Sequence, residues 1–307
     1  MMRALLLALS ARPVLGRTMD RLPLTRRVVR RFVAGTELED ALAVIQRVHD
    51  GGLSTAVTYL GENVASEAQA RGAAAAYLEI LDQLKRRSLG CTPSLKLTHM
   101  GLDVSEAVCM DNMRRILDRA RDHGNRVWID MEQTAYTDRT LRVYAALRGE
   151  FPNVACVIQA YLRRSEADVR RLIELGAAVR LCKGAYREPL DRAFRTRAEV
   201  DRSYERLMDR LLSPEARAAG VYPGFATHDA RLIARAAERA RALGVPREGF
   251  EIQMLYGIRG DLHAGIRERE LALRLLVPFG EEWYGYFMRR LAERPANTVF
   301  LLKNLFR

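Results

Sequence analysis

A chain of 307 residues, 49% of them hydrophobic and 29% charged, has the composition of a globular protein with ample core, which excludes disorder and leaves room for one large domain or two ordinary ones. Its net charge of +12 asks for an anionic partner: nucleic acid, an acidic membrane surface, or an anionic cofactor or substrate. The basic residues are interleaved with acids, as in Arg163-Arg164-Ser165-Glu166, and no zinc-finger spacing or glycine-aromatic RNA signature appears, so dedicated nucleic-acid binding is set aside.

Met1 to Ala11 carries Arg3 ahead of the short apolar run Ala4–Leu9, and the first acid is Asp20. An amphipathic opening helix is favoured over a membrane-surface contact, and that over a cleaved leader, because helical polarity continues through Arg26-Arg27 and Arg30-Arg31. No stretch is long enough to span a bilayer. The helical pattern runs from Arg17 to Asp50, with a cap predicted at Thr36, apolar positions at Leu38, Ala41, Val44, Ile45 and Val48, and a stop at Gly51-Gly52. Short apolar runs then alternate with helix-period segments: Thr55–Leu60, Ser94–Leu97, Arg126–Met131, Val154–Gln159, Ala178–Cys182, Gly224–Thr227, Phe250–Met254 and Leu273–Val277. Breakers stand before several of them, at Phe151-Pro-Asn153, Gly176 and Gly244-Val-Pro246. Eight such runs in a chain of this length predict an α/β fold, a closed (βα)₈ TIM barrel, rather than an open doubly wound sheet. The latter would need a Gly-x-Gly-x-x-Gly turn that is absent. No linker divides the chain, so residues 1–50 read as an N-terminal helical arm and 51–307 as one barrel domain. A helix at Tyr286–Glu293, closed by Pro295, follows the eighth run and takes the place of the eighth barrel helix, over the barrel mouth.

A barrel carries its functional side chains at the C-terminal ends of the strands. Here those ends read Leu60-Gly-Glu62, Leu95-Lys-Leu97, Ile129-Asp-Met131, Ile158-Gln159, Arg180-Leu-Cys-Lys-Gly-Ala-Tyr186, Ala226-Thr-His228 and Gln253-Met-Leu-Tyr-Gly257. Lys96, Arg289 and Arg290 are three cations able to converge on one carboxylate, and Tyr286, Arg289, Arg290 and Glu293 share one side of their helix. Asp130 follows the apolar Val127-Trp-Ile129, so its carboxylate needs a partner, for which Lys96 is the candidate. Arg180, Lys183 and the amides around Gly184 suit phosphates or a polar ring edge, and Thr227 and His228 suit a ribose or pyrophosphate. His49, His99, His123 and His263 read as structural, and no His/Asp/Glu grouping has metal spacing. Cys91, Cys109, Cys156 and Cys182 form no C-x-x-C pair, which fits a reducing compartment without disulfides or structural zinc. These residues alone leave two rivals open: a barrel aldolase using Lys96 as a Schiff-base amine, and a basic scaffold binding nucleic acid or membrane.

Taken in order, Leu-Gly-Glu62, Leu-Lys96-Leu, Ile-Asp130-Met-Glu, Gln159-Ala-Tyr, Arg180-Leu-Cys-Lys-Gly-Ala-Tyr186, Ala-Thr-His228-Asp, Phe-Glu-Ile-Gln-Met-Leu-Tyr-Gly257 and Tyr286-Phe-Met-Arg-Arg-Leu-Ala-Glu293 resemble the proline dehydrogenase family from about Arg31 to the C-terminus. Each motif is weak alone and specific in series. The chain is too short for the family's fused aldehyde dehydrogenase or DNA-binding arm and looks like the compact monofunctional bacterial type. The resemblance implies a (βα)₈ enzyme with non-covalent FAD and no metal. Such an enzyme oxidises L-proline to Δ¹-pyrroline-5-carboxylate by hydride transfer to flavin N5, the first step of proline degradation to glutamate. Electrons would pass to a membrane quinone and the product to a separate pyrroline-5-carboxylate dehydrogenase. The implied location is cytoplasmic, with a peripheral contact on the inner face of the cytoplasmic membrane as a further option. Carried over by position, Arg289, Arg290 and Lys96 would grip the proline carboxylate, Tyr186 and Tyr286 would wall the ring, and Asp130 would order Lys96. Arg180 would lie near N5. Met131, Gln159, Lys183, Gly184, Ala185, Thr227 and His228 would hold the flavin, and Glu62 would gate the site by pairing with Arg289. One departure stands out: the family's Arg-x-Tyr-x-Pro-x-Gly reads Arg274-Leu-Leu-Val-Pro-Phe-Gly280 here, with Leu276 in the tyrosine's place. Proline is expected to remain a substrate, with weaker binding and looser discrimination against ring-substituted analogues.

Overall fold

The structure, a computed structural model, describes residues 29–293, without the side chains of Arg289, Leu291, Ala292 and Glu293. Eight parallel strands close into a barrel in chain order: β1 (Ser54–Tyr59), β2 (Cys91–Leu95), β3 (Val127–Ile129), β4 (Val154–Gln159), β5 (Ala178–Cys182), β6 (Tyr222–Ala226), β7 (Glu251–Leu255) and β8 (Leu273–Phe279). The seam is the β1–β8 pairing, in register from Ser54↔Arg274 to Tyr59↔Phe279. The helices are α1 (Leu38–Asp50), α2 (Glu67–Arg86), α3 (Glu106–Asp122), α4 (Thr134–Glu150), α5 (Ser165–Glu174), α6 (Arg197–Leu211), α7 (Pro214–Ala218), α8 (Ala230–Ala242), α9 (His263–Glu268) and α10 (Trp283–Glu293).

Every predicted run holds a strand. β2 and β6 begin nearer the N-terminus than the predicted runs, and Pro93 and Pro223 within them occupy ordinary register positions opposite Val57 and Val179. The predicted cap at Thr36 is corrected to Glu37, whose backbone N–H donates to the Asp40 carboxylate at 3.5 Å in a capping box. Residues 33–37 are bends and irregular backbone, so helix does not run unbroken into α1. The opening helix, Arg26-Arg27 and Pro295 lie outside the described residues.

Strand alternation sorts the side chains into two sets. Val127, Ile129, Cys156, Val179, Leu181, Phe225, Ile252 and Leu275 face outwards and form one continuous core with the helices, including Ala41, Leu42, Val44 and Ile45 of α1. The alternate residues face the barrel axis. Trp128, Ala155, Ala178 and Tyr222 make a small apolar cluster there, one residue from each of four neighbouring strands in mutual register. Many of the other inward positions are polar, among them Ser94, Arg180, Glu251, Gln253 and Arg274.

A third cluster fixes the lid helix. Trp283, Tyr284, Tyr286, Phe287 and Met288 of α10 pack with Val29, Phe32 and Val33 and with Leu60, Leu255 and Ile258 from the ends of β1 and β7. α10 therefore lies across the C-terminal ends of the strands, as expected. Among the described residues no helix is long and apolar enough to cross a membrane.

Tyr77 of α2 ties the first two strands together: its buried hydroxyl donates to Ser94 O at 2.9 Å and accepts from Tyr59 N at 3.2 Å. Tyr77→Phe strands both groups and should cost about 1–2 kcal/mol. At about 2–4 °C per kcal/mol for a domain of this class, a thermal melt should show a clear fall, and an unchanged midpoint would assign those bonds no weight.

Candidate active site

The site is built by strand ends. Just beyond β1, the Glu62 carboxylate accepts from Lys96 Nζ at 2.5 Å, with both side chains largely covered. Lys96 follows the last residue of β2 on the inward side, two residues after Ser94. The expected Asp130–Lys96 pairing is corrected: Asp130 Oδ1 accepts from Ser94 Oγ at 2.8 Å and from Arg180 NH1 at 2.9 Å. Arg180 reaches over from β5 and takes Asp130 together with Ser94, and Lys96 takes the neighbouring acid, Glu62, instead. Glu62 was expected on Arg289, whose side chain lies outside the described residues.

Arg180 is 5% exposed. Its Nε donates to Gln253 Oε1, its NH1 also donates to Ser94 Oγ at 2.8 Å, and its Cζ lies 4.6 Å from the centre of the Trp128 ring. NH2 is buried with no partner among the described residues. Burial lowers the guanidinium pKa, and the charges of Asp130 and Glu251 oppose that. On β4, the neighbouring strand, Gln159 is buried, with Nε2 donating to the carbonyl of Met131 at 3.1 Å and Oε1 without a partner among the described residues.

Lys183 pairs with Asp201 at 2.5 Å and Asp229 at 3.3 Å, and Arg231 and Arg197 bind the same two carboxylates. Burial alone would raise the Asp229 pKa, but Arg231 and Lys183 hold it well below the usual range. Asp229 caps α8 directly after Thr227 and His228. The Thr227 hydroxyl accepts from Asp229 N at 3.1 Å. His228 Nε2 accepts from Leu255 N at 2.9 Å, so the neutral ring carries its proton on Nδ1.

The β5–α6 loop carries Gly184, Ala185 and Tyr186. Gly184 has φ +105°, and a Cβ there would lie 2.1 Å from the Tyr161 ring, so the turn accepts only glycine without moving. Glu188 anchors the same loop to α4: it accepts from Thr134 N at 2.9 Å and from the Thr134 hydroxyl, capping a helix whose own N-cap, Gln133, makes no side-chain bond. Sequence reasoning missed this cap, since nothing in the spacing links residues so far apart.

From above, α10 brings Tyr286, buried, with the Arg290 guanidinium 5.4 Å from its ring centre. The Cys182 thiol is pushed up to about 12 by burial, with Asp130 adding to the rise and Arg180 and Arg290 opposing it, so Arg290 acts on the β5 end. Burial and Glu62 raise the Glu282 pKa against Lys96, which sets the start of α10 beside the Glu62–Lys96 pair. Leu276 is half-buried on β8, two residues beyond Arg274 on the same side.

Beneath the mouth lies a polar column that the sequence reading did not anticipate: Glu251 binds Arg274 through two bonds of 2.8 and 2.9 Å and accepts from Tyr222 at 3.2 Å. The available signal was two opposite charges at inward positions of β7 and β8. Among the described residues no group of three or more His, Cys, Asp or Glu is arranged to hold a metal ion.

The proline dehydrogenase family model matches residues 41–303, nearly the whole chain. The chain belongs to the proline dehydrogenase family. It is 38% identical to proline dehydrogenase 1 of Bacillus subtilis over 284 residues, 92% of each chain. It is 34% identical to the proline dehydrogenase of Deinococcus radiodurans, covering 90% of this chain and 89% of that one. Among solved structures it resembles proline utilization A from Bdellovibrio bacteriovorus inactivated by N-propargylglycine, with a TM-score of 0.82 at 28% identity, over 90% of this chain and 34% of that one. The enzyme is thus a proline dehydrogenase, oxidising proline to pyrroline-5-carboxylate, in a family that uses FAD.

His99 supplies a pH test of the mouth's packing. Its ring lies 5.6 Å from that of Tyr59 and 6.5 Å from that of Tyr77, and burial, helped by Lys96, lowers its pKa from 6.5 to about 4. The unfolded chain therefore takes up the proton first as pH falls, so stability present above about pH 6.5 is lost towards pH 4, by at most about 3 kcal/mol. Urea midpoints between about pH 7 and pH 4.5 should fall less in His99→Gln than in the parent. An equal fall in both would remove His99 as the source.

Proposed function

We propose that the barrel mouth binds FAD non-covalently, passes a hydride from L-proline to flavin N5, and delivers the electrons to a membrane quinone. The observation that carries this reading is a pair of buried atoms on neighbouring strands without partners among the described residues, the acceptor Gln159 Oε1 and the donor Arg180 NH2. Each costs about 1–3 kcal/mol unless a ligand answers it, and the edge of an isoalloxazine carries both donors and acceptors. Met131 and Gln159 would hold the ring. Lys183, Gly184 and Ala185 would follow the ribityl chain, and Thr227 and His228, ahead of α8, the pyrophosphate. When bound, FAD supplies the two-electron acceptor that the side chains lack.

The chain's own residues bind, orient and exclude water. Lys96, Arg289 and Arg290 grip the proline carboxylate through charge-assisted bonds, which hold the ring carbon and its hydrogen against N5. Tyr186 and Tyr286 wall the ring, and Leu276 completes an apolar side. Asp130 orders the site through Arg180 and Ser94 rather than through Lys96, and Arg180 offers its charge where negative charge develops. Glu62, which holds the Lys96 ammonium, would also serve as the gate, pairing with Arg289 as α10 seals the mouth over substrate. The Glu62–Lys96 ion pair also speaks against the aldolase alternative, since a Schiff-base lysine must present a neutral amine.

The imine product passes to a separate pyrroline-5-carboxylate dehydrogenase. A lipid-borne acceptor asks for a peripheral contact with the inner face of the cytoplasmic membrane by an otherwise cytoplasmic enzyme, and no role for nucleic acid arises. Residues 1–50 act as an arm to the catalytic barrel of residues 51–307.

The purified protein should be yellow and bleach on addition of proline, and N-propargylglycine should inactivate it; a spectrum without flavin bands would end this reading. Arg290→Met should raise the proline KM more than tenfold, about 1.4 kcal/mol or more of lost binding, with flavin retained. Flavin loss in that variant would mean that the helix serves the cofactor instead.

A further inference from the structure

Gln253 has had no role so far, yet its amide is held from both ends. It lies on the inward side of β7, 5% exposed; Nε2 donates to Glu251 Oε1 at 2.5 Å, and Oε1 accepts from Arg180 Nε. Glu251 is 2% exposed and receives further bonds from Arg274 and Tyr222. An ionised carboxylate only accepts hydrogen bonds, so it turns the amide's NH₂ towards itself. The carbonyl of Gln253 is then obliged to face Arg180. β6 leaves the space for this: Gly224 registers with Arg180 on one side and Glu251 on the other, and a Cβ there would lie 2.5 Å from Gln253 Nε2.

The consequence falls on the guanidinium. Its Nε is committed to Gln253 and its NH1 to Ser94 and Asp130, which leaves NH2 as the buried donor without a partner among the described residues. Rotation about the last side-chain bond would break three hydrogen bonds at once. We propose that Gln253, locked by Glu251, is a positioning residue that sets which edge of Arg180 is presented to the electron-accepting ring. This inference rests on the FAD reading above. A fixed donor and cation beside the ring favours the reduced, more negative form over the oxidised one.

Two variants separate this from packing and from simple charge. Gln253→Met keeps the volume and the net charge and removes the tether. Glu251→Gln replaces a pure acceptor by an amide that donates and accepts, so Gln253 is no longer forced to one orientation. As a buried charge alone, losing Glu251 would make the ring easier to reduce and raise its potential. Losing the hold on Arg180 does the reverse, so the sign decides.

The test is a spectral redox titration of the flavin in the parent and both variant holoenzymes, with a thermal melt of each flavin-stripped protein and the proline KM. The expected result is a lower midpoint potential in both variants. A tenfold loss of preference for reduced over oxidised flavin appears as about 30 mV. Proline KM should stay within about twofold, because the carboxylate clamp lies elsewhere. An unchanged potential in Gln253→Met, or a raised one in Glu251→Gln, overturns the proposal even if melting points fall. Should Gln253→Met not fold, the sign in Glu251→Gln decides alone. A parent protein that binds no flavin overturns the FAD reading and this inference with it, whereas a flavin-bearing parent with indifferent variants overturns this inference alone.

Discussion

A guanidinium held inside a closed barrel constrains everything around it. Removing a charge from water costs several kcal/mol even after relaxation, and the attraction of one carboxylate offsets that only when the remaining polar atoms are also satisfied. Arg180 meets most of the condition with Asp130, Ser94, Gln253 and the face of Trp128, and NH2 alone is left over among the described residues. Its presence rules out the layered aliphatic filling usual in this fold. Gln253 needs an anchor, Glu251; Glu251 needs counter-charge, Arg274; and Arg274 reaches the seam, donating to Thr55 O at 2.8 Å. One buried cation near the mouth thus accounts for a polar column that continues down the barrel.

The fold was legible because outward strand positions had to be apolar to meet the helices. Val127, Val179 and Ile252 announce their strands by burial, and the alternation of strand and helix periods does the rest. The site was legible in part for a related reason, since a charged residue ending an apolar run, such as Lys96 or Asp130, marks the mouth. Pairing was not legible. Alternation says that Ser94, Lys96, Asp130 and Arg180 all face inwards, but not which cation Asp130 takes, since Lys96 follows the β2–β3 register beside it and Arg180 reaches it from β5. Glu188 was hidden for another reason: it caps a helix that begins 54 positions earlier in the chain, a contact made by loop closure alone.

Charge at the rim shows a different economy from charge in the column. Lys183, Arg197 and Arg231 share Asp201 and Asp229, three cations against two carboxylates, at the turn where α8 begins. Acids on their own would weaken the phosphate site proposed there. Here the acids hold the cations in place before any ligand arrives, leaving one net positive charge on a fixed frame, and a fixed frame needs little reorganisation when an anion binds. The overall excess of basic residues supplies the wider field that draws anions to the mouth.

The eighth strand joins the two regimes. Arg274 and Leu276 alternate on its inward side, one bound to Glu251 in the column and the other a layer nearer the mouth. A tyrosine at the second position would bring a hydroxyl that needs a partner when covered; leucine brings none and asks for none. In the proposed site this leaves the wall beside the substrate ring apolar. Such a wall cannot strongly reject a ring that merely adds a hydroxyl, since hydrophobic contact discriminates by about a hundredfold at best. Selection for proline then falls on the carboxylate clamp and on the space between Tyr186 and Tyr286. Those elements read the charge and thickness of the ring rather than its substituents.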